Sequence, residues 1–415
     1  MDRLVPPGWR VLALTDFRRL WLAHAGSVIG DGFHGIALTW LVFQTLGGGA
    51  EALAVLGIAY LIPTLALGIL SGTIVDRLDR RRVMVASDLV RAALVAVLAL
   101  LVATGRASVP VVIAVGIALV LAGLFFYPAR DAVLPEYVPK DELVPANALM
   151  QATWQGSQLL TPALGGVLFV AIGPVGLLSI DAASFVWSAL LISRLTPGPA
   201  IPAPAPRRPL LQEAADGLRF IAGHGPSRLV VVTGAGNQLF ASGPFRVMIP
   251  AWVTVVLGGG AVEYGTIMSA LAAGLLSANL AVSAIRARLP LIRLIVLGVF
   301  FDGLIVLLFA YAPTLLLASL AFFVLGLSNA VVNASLTALL QTTVPSDMRG
   351  RTFATFTTSI NITTPVSLAA TGALAAVAGP VLLMAISGLG LMGVGAVAFA
   401  ASLRGSGSAN SPAAA

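Results

Sequence analysis

The chain contains no cysteine, and Lys140 is its only lysine against 23 arginines. The first absence excludes disulfides, thiolate metal sites and thiol nucleophiles. The second, with the wealth of alanine and glycine, suits a bacterium with a GC-rich genome. Charge of either sign is scarce: Asp, Glu, Lys and Arg make up 10% of the 415 residues, where a soluble protein carries about 25%. Soluble-enzyme signatures are missing as well, with no His-Glu-x-x-His, Gly-x-Ser-x-Gly or Walker loop. Gly388, Gly390 and Gly393 have the spacing of a dinucleotide loop, but they sit inside an apolar run with no strand before it and read as helix packing. No metal, cofactor or catalytic residue is expected.

What is present is apolar. Hydrophobic residues make up 58% of the chain, and the mean hydropathy is +0.98. Runs of roughly 20 apolar residues, each enough to cross a bilayer, recur along the whole length. An all-α polytopic membrane protein with twelve spans follows, expected near 19–45, 52–75, 83–104, 109–130, 146–171, 175–194, 229–256, 262–285, 292–312, 314–340, 352–378 and 380–402. With that layout nearly all basic residues fall in the N-terminus, the loops after even-numbered spans and the C-terminus. Arg91 and Arg246 lie within spans and Arg106 in an opposite loop. Excess arginine marks the cytoplasmic side, so both termini are expected there. The net charge of +7 then reflects membrane topology, and no nucleic-acid partner is implied. The first 18 residues are too polar for a cleavable signal peptide, and nothing supports a lipid anchor.

Residues 195–228 interrupt this pattern. Pro197 to Pro209 contains six prolines, which favour an extended chain. Leu211, Ala214, Leu218 and Ile221 then fall at helical spacing, as in a short amphipathic surface helix. The expected organisation is an N-terminal half at 1–194, a cytoplasmic linker at 195–228, a C-terminal half at 229–403 and a flexible cytoplasmic tail at 404–415. The halves echo each other. Val138-Pro139-Lys140-Asp141 precedes the fifth span and Val344-Pro345-Ser346-Asp347 the eleventh, while Thr161-Pro162 and Thr364-Pro365 lie 203 residues apart. Repeated six-helix halves are the plan of a rocking transporter with a midplane cavity.

Ionisable groups inside lipid are costly, so each requires an explanation. Asp31 lies about 12 residues into the first span, near mid-depth. His34 is three positions on and shares a helix face with it. A carboxylate in such a cavity gains or loses its proton according to what binds beside it, as a proton-coupling site requires. The alternative is a structural Asp31 satisfied by neighbouring backbone and hydroxyls. Asp181 and Asp302 read as structural, and Asp88 with Arg91 as a local ion pair near the inner end of the third span. In the fifth span Gln151, Gln155 and Gln158 form one stripe beside Trp154. Asn237 and Gln238 in span seven, and Asn329 and Asn333 in span ten, are plausible facing partners. For each of these, substrate contact and interhelical hydrogen bonding both remain open.

Gly72 to Arg82, GTIVDRLDRRR, is a charged turn between two apolar runs. Its Gly-x-x-x-Asp-Arg-x-x-Arg-Arg pattern resembles the loop 2–3 motif of the major facilitator superfamily, with Asp79 in place of the usual Gly. The resemblance implies a gate latch made by Gly72, Asp76, Arg77, Arg80 and Arg81. Asp76 would cap the eleventh span near Gly350–Thr352, and one arginine would pair with Asp131 on span four. Pro162, Gly165 and Gly166 resemble the fifth-helix motif of antiporters, although Thr161 replaces the usual Gly. Phe17-Arg18-Arg19-Leu20-Trp21, Ala146-Asn147-Ala148, Asp181 to Phe185 and Met348-Arg349-Gly350-Arg351 look like the branch of macrolide-efflux drug:proton antiporters and enterobactin-exporter-like proteins. That likeness implies a monomeric, non-enzymatic transporter of the bacterial inner membrane. It would export a small, fairly apolar molecule (a drug, macrolide-like compound, siderophore or secondary metabolite) in exchange for protons. A lysophospholipid flippase or a nutrient or siderophore importer would share the fold. A polytopic membrane enzyme would need a catalytic cluster that the sequence does not display.

Overall fold

In the computed structural model, residues 7–75, 77–196, 219–285 and 290–408 are described. Lipid offers backbone amides no partner, so a chain this apolar closes its hydrogen bonds within helices. A 3-10 turn, Pro7–Ala13, leads into α1, Thr15–Trp40, which ends in a π turn, Leu41–Thr45. α2 is Gly49–Val75, α3 Arg80–Ala103 and α4 Val109–Tyr137. The stretch Leu143–Ile192 is helical except at Gly173, whose φ of 66° divides it into α5 (143–172) and α6 (174–192). Only glycine adopts that backbone without strain, and Pro174 suits the first turn of the second arm.

α7 is Gly225–Gly243, continued through a π turn, Pro244–Met248, into Ile249–Leu257. α8 is Ala261–Ile285, α9 Leu291–Ala310, α10 Leu315–Thr343, α11 Ser346–Ala375 and α12 Pro380–Ser408. Ten helical stretches are long and apolar enough to cross a membrane among the described residues. Separating α5 from α6, and adding α11 with its many threonines, brings the described helices of spanning length to twelve. Large apolar side chains stay uncovered on these helices, among them Leu316 at 77% and Val170 at 72% exposure. In water such surfaces are a liability; against acyl chains they are required.

Two helices run well past the C-terminal ends of their expected spans. α4 continues past Arg130 to Tyr137 because its polar last turns find partners, described below. α12 continues to Ser408, into the segment expected as a tail. The prolines from Pro197 to Pro209, residues 211–218, Asp76, Arg286 and Arg288 lie outside the described residues.

The chain divides into two compact units, Met1–Ala205 and Pro206–Ala415. Each is packed on the same plan. In the first, α1 and α3 pack on the α5–α6 hairpin, and α4 packs on α2 and α3. In the second, α7 packs on α11 and α12, α9 on α12, and α10 on α8 and α9. The π turns that begin at Leu41 and Pro244 are 203 residues apart. This is the separation of the Thr-Pro pairs in α5 and α11, and each unit places its turn after the corresponding helix.

Candidate transport site

α1 reaches the hairpin through two glycines that flank Asp31. A Cβ on Gly30 would come within 2.8 Å of Asp181 Oδ1 and of Ser184 Cβ, both on α6. One on Gly32 would come within 2.6 Å of Thr161 Cβ on α5. Thr161, the residue that departs from the antiporter pattern, therefore fills the notch at Gly32, and its hydroxyl donates to Ser157 O at 2.7 Å. Close backbone approach at small residues is how helices associate in lipid. Here it sets Asp31 and His34 at the junction of α1 with both arms.

Beside that junction the first unit has a mainly apolar, open-sided cavity of about 390 Å³. Asp31 and His34 of α1 face it, with Tyr60 and Thr64 of α2, Arg91 of α3, Gly123 and Tyr127 of α4, and Asp181 and Phe185 of α6. His34 Nδ1 lies 2.8 Å from Asp181 Oδ2, with Asp181 1% exposed. Arg91 donates to Asp88 Oδ1 at 2.5 Å. Its guanidinium lies over two rings, 4.1 Å from the centroid of Phe185 and 4.7 Å from that of Phe126. Stacked and paired, the Arg91 guanidinium is held in place. The Tyr60 hydroxyl is buried with no hydrogen-bond partner among the described residues, and its ring fits because residue 116 is glycine: a Cβ there would meet Tyr60 Cζ at 2.7 Å. Asp31 makes no ion pair among the described residues. It faces the cavity within the fields of Arg91, Asp181, His34 and Asp88.

At the end of this unit that carries the arginine turn, Asp79 caps α3, accepting from Arg82 N at 3.1 Å. Arg80 Nη1 donates to Glu136 Oε1 at 2.7 Å and to Ala132 O at 3.2 Å. This corrects the expected pairing with Asp131. Asp131 already accepts from its neighbour Arg130, at 2.9 Å from Nε and 2.7 Å from Nη2, while Glu136 lies in the extra turns of α4. Arg81 donates to the Ser193 carbonyl at the end of α6, where a cation complements the helix dipole. Tyr137 OH, Arg19 and Asp16 bind the same segment, through Thr196 O at 2.7 Å, Arg194 O at 2.7 Å and Thr196 Oγ1 at 2.5 Å respectively. Arg77 is exposed and Gly72 lies in the last turn of α2.

The sequence profile described as transmembrane secretion effector matches residues 7–415. The chain belongs to this family of major facilitator transporters. It is similar to the multidrug efflux pump Tap of Mycolicibacterium fortuitum, with 29% identity over 84% of this chain and 87% of that one. It is also similar to the Tap pump of Mycobacterium tuberculosis strain H37Rv, at 27% identity over 85% of each chain. In fold it resembles a bacterial homologue of the iron transporter ferroportin, with a TM-score of 0.76, 16% identity and coverage of 93% and 98%. The nucleoside transporter NupG gives a TM-score of 0.71 with 14% identity, covering 93% and 98%. The chain is thus a membrane transporter and not an enzyme.

The other expected positions are not among the residues that line this cavity. Trp154 and Gln158 are exposed, and Gln155 and Asn237 half-buried. Gln238 Nε2 donates to Thr364 Oγ1 at 2.9 Å, which joins α7 to α11. Asn333 Nδ2 donates to Asn329 Oδ1 at 2.7 Å within α10. Pro162 breaks no helix, and Gly165, buried with Gly166, packs 3.0 Å from Ile36 by its virtual Cβ. Two members of the cavity cluster do more than the sequence assigned to them. Asp181, read as structural, lies against His34 and lines the cavity. Arg91, read as half of a local ion pair, makes that pair with Asp88 and also faces the cavity. The signal for Asp181 was a carboxylate within an apolar run, three residues before Ser184. Tyr60 and Tyr127 were missed altogether, because aromatic residues in a span carry no pattern of their own.

Proposed function

We propose that this transporter exports small, fairly apolar organic molecules from a bacterial cytoplasm, by alternating access of the rocker-switch kind and in exchange for protons. It would act as a monomer in the inner membrane with both termini cytoplasmic. The observation that carries the reading is Asp31: a carboxylate within a span, facing an apolar cavity, with no ion-pair partner among the described residues. Such a group can exchange a proton for a bound molecule, and one charge moving through 100 mV supplies about 2.3 kcal/mol. The names of the relatives, multidrug efflux pumps, support the direction and the substrate class. Gly72, Asp76, Arg77, Arg80 and Arg81 would latch the inner gate, with Glu136 in the place first expected for Asp131.

Everted membrane vesicles that accumulate ethidium on energisation test this reading. Asp31→Asn is expected to lower accumulation at least about tenfold while ethidium binding persists. His34→Ala should be as severe, because it strips a buried Asp181 of its partner. Undiminished concentration of ethidium by Asp31→Asn would place coupling elsewhere.

A further inference from the structure

A second group of ionisable side chains lies two turns from the cavity. His24 sits on α1 seven residues before Asp31, on the same face and about 10 Å along the axis, and is 4% exposed. Its Nε2 is 3.3 Å from Met150 O on α5. Its Nδ1 is 3.2 Å from Nη1 of Arg130 on α4. A carbonyl only accepts and a guanidinium only donates. The imidazole is therefore the neutral tautomer with its proton on Nε2, and both ring nitrogens are occupied. Arg130 and Asp131 face it from α4, and the Met150 carbonyl from α5. The Arg130 guanidinium carbon lies 5.1 Å from the centroid of the Tyr127 ring, and Tyr127 is part of the cavity wall. The same segments of α1 and α4 contribute Phe17, Leu20, Phe126 and Val133 to an apolar cluster, which offers a proton no other carrier.

We propose that His24 and Arg130 form the inner proton gate of the N-terminal unit, with Arg130 occupying the ring nitrogen that must accept the proton. The inference rests on the proton-driven reading above. His24 lies on the N-terminal side of Asp31, the side expected to face the cytoplasm. While Arg130 donates to Nδ1, no proton can bond there. Asp131 already holds two of the guanidinium's other nitrogens, so a small swing transfers Arg130 to Asp131 alone. A ligand pressing on Tyr127 would produce that swing. The O–H bond of protonated Asp31 then breaks, a short file of waters relays the proton along α1, and an N–H bond forms at Nδ1. The imidazolium gives its Nδ1 proton to water beside Asp131, whose carboxylate is 66% exposed, and returns to its neutral form, upon which Arg130 recloses the nitrogen.

The test uses the full chain in liposomes loaded with pyranine, a pH step, and no transported molecule. Arg130→Met should raise proton leak about tenfold, and adding His24→Gln should return the leak to the wild-type level. A purely structural Arg130 would not make its leak depend on His24. His24→Gln alone keeps an acceptor for Arg130 and a donor for Met150 O, so it should fold and bind ethidium, yet lose proton-driven accumulation at least about tenfold. A proton-tight Arg130→Met, a leak that persists in the double variant, or wild-type accumulation by His24→Gln overturns the gate. The coupling reading fails separately, if wild-type liposomes do not move ethidium under a pH gradient.

Discussion

At the residue scale, the cavity cluster is assembled by what glycine omits. Gly30 leaves room for Asp181 and Ser184, and Gly116 for Tyr60. An added methyl at Gly30 cannot be absorbed by a rotamer change alone, because Ser184 Cβ is as near as Asp181 Oδ1. Gly30→Ala should therefore part α1 from α6 and break the 2.8 Å contact of His34 with Asp181. The expected loss is about 1–3 kcal/mol of stability, read as an earlier thermal transition in detergent, with energised ethidium accumulation falling alongside. An unchanged transition would show that the hairpin yields at this point. Asp31 and His34 were legible as a pair from their spacing on one helix. Their partners were not, since Asp181 is 150 residues away in sequence and only the notch at Gly30 brings it to His34.

At the scale of elements, the turn before α3 shows how a departure from a family pattern is accommodated. Asp79 stands where the superfamily pattern has glycine, and it caps the helix through Arg82 N at 3.1 Å while pairing with Arg82 Nε at 3.2 Å. The ion pair is exposed and adds little; the cap is the larger contribution. Asp79→Ala should cost about 1 kcal/mol and Asp79→Gly only a few tenths, in thermal melts followed by tryptophan fluorescence. Equal losses for the two would deny the cap its role. The helices themselves were legible because span length and hydropathy act locally. The break at Gly173 was legible as a boundary, since the expected spans change there. The last turns of α4 were not: Arg130, Asp131 and Glu136 look like the end of a span until Arg80 and His24 are brought against them from other helices.

At the scale of the whole chain, the two units share a packing plan but differ in charge. Ser87 Oγ donates to Ala122 O at 2.5 Å between α3 and α4, and Ser328 Oγ to Gly298 O at 3.4 Å between α9 and α10. The hydroxyl has changed sides, yet the contact marks equivalent points on α3 and α9. Four residues on from each point stand Arg91 and Asp302. The repeat was legible in the paired Val-Pro and Thr-Pro sequences, whereas this exchange of sign needed the register of helix against helix. Arg91 faces a cavity with Asp31. Asp302 is 1% exposed beside Ser328 and Asn329, and among the described residues it has no cation and no aligned hydrogen bond to either oxygen. An amide can replace a carboxyl that holds no cation at little cost, and no ion pair is broken by the change. Asp302→Asn should then keep energised ethidium accumulation within about threefold of wild type, in the same vesicles where Asp31→Asn loses it. The reverse outcome, with Asp302→Asn inactive and Asp31→Asn active, would move proton coupling into the C-terminal unit and leave Asp31 a structural carboxyl of the α1–hairpin junction.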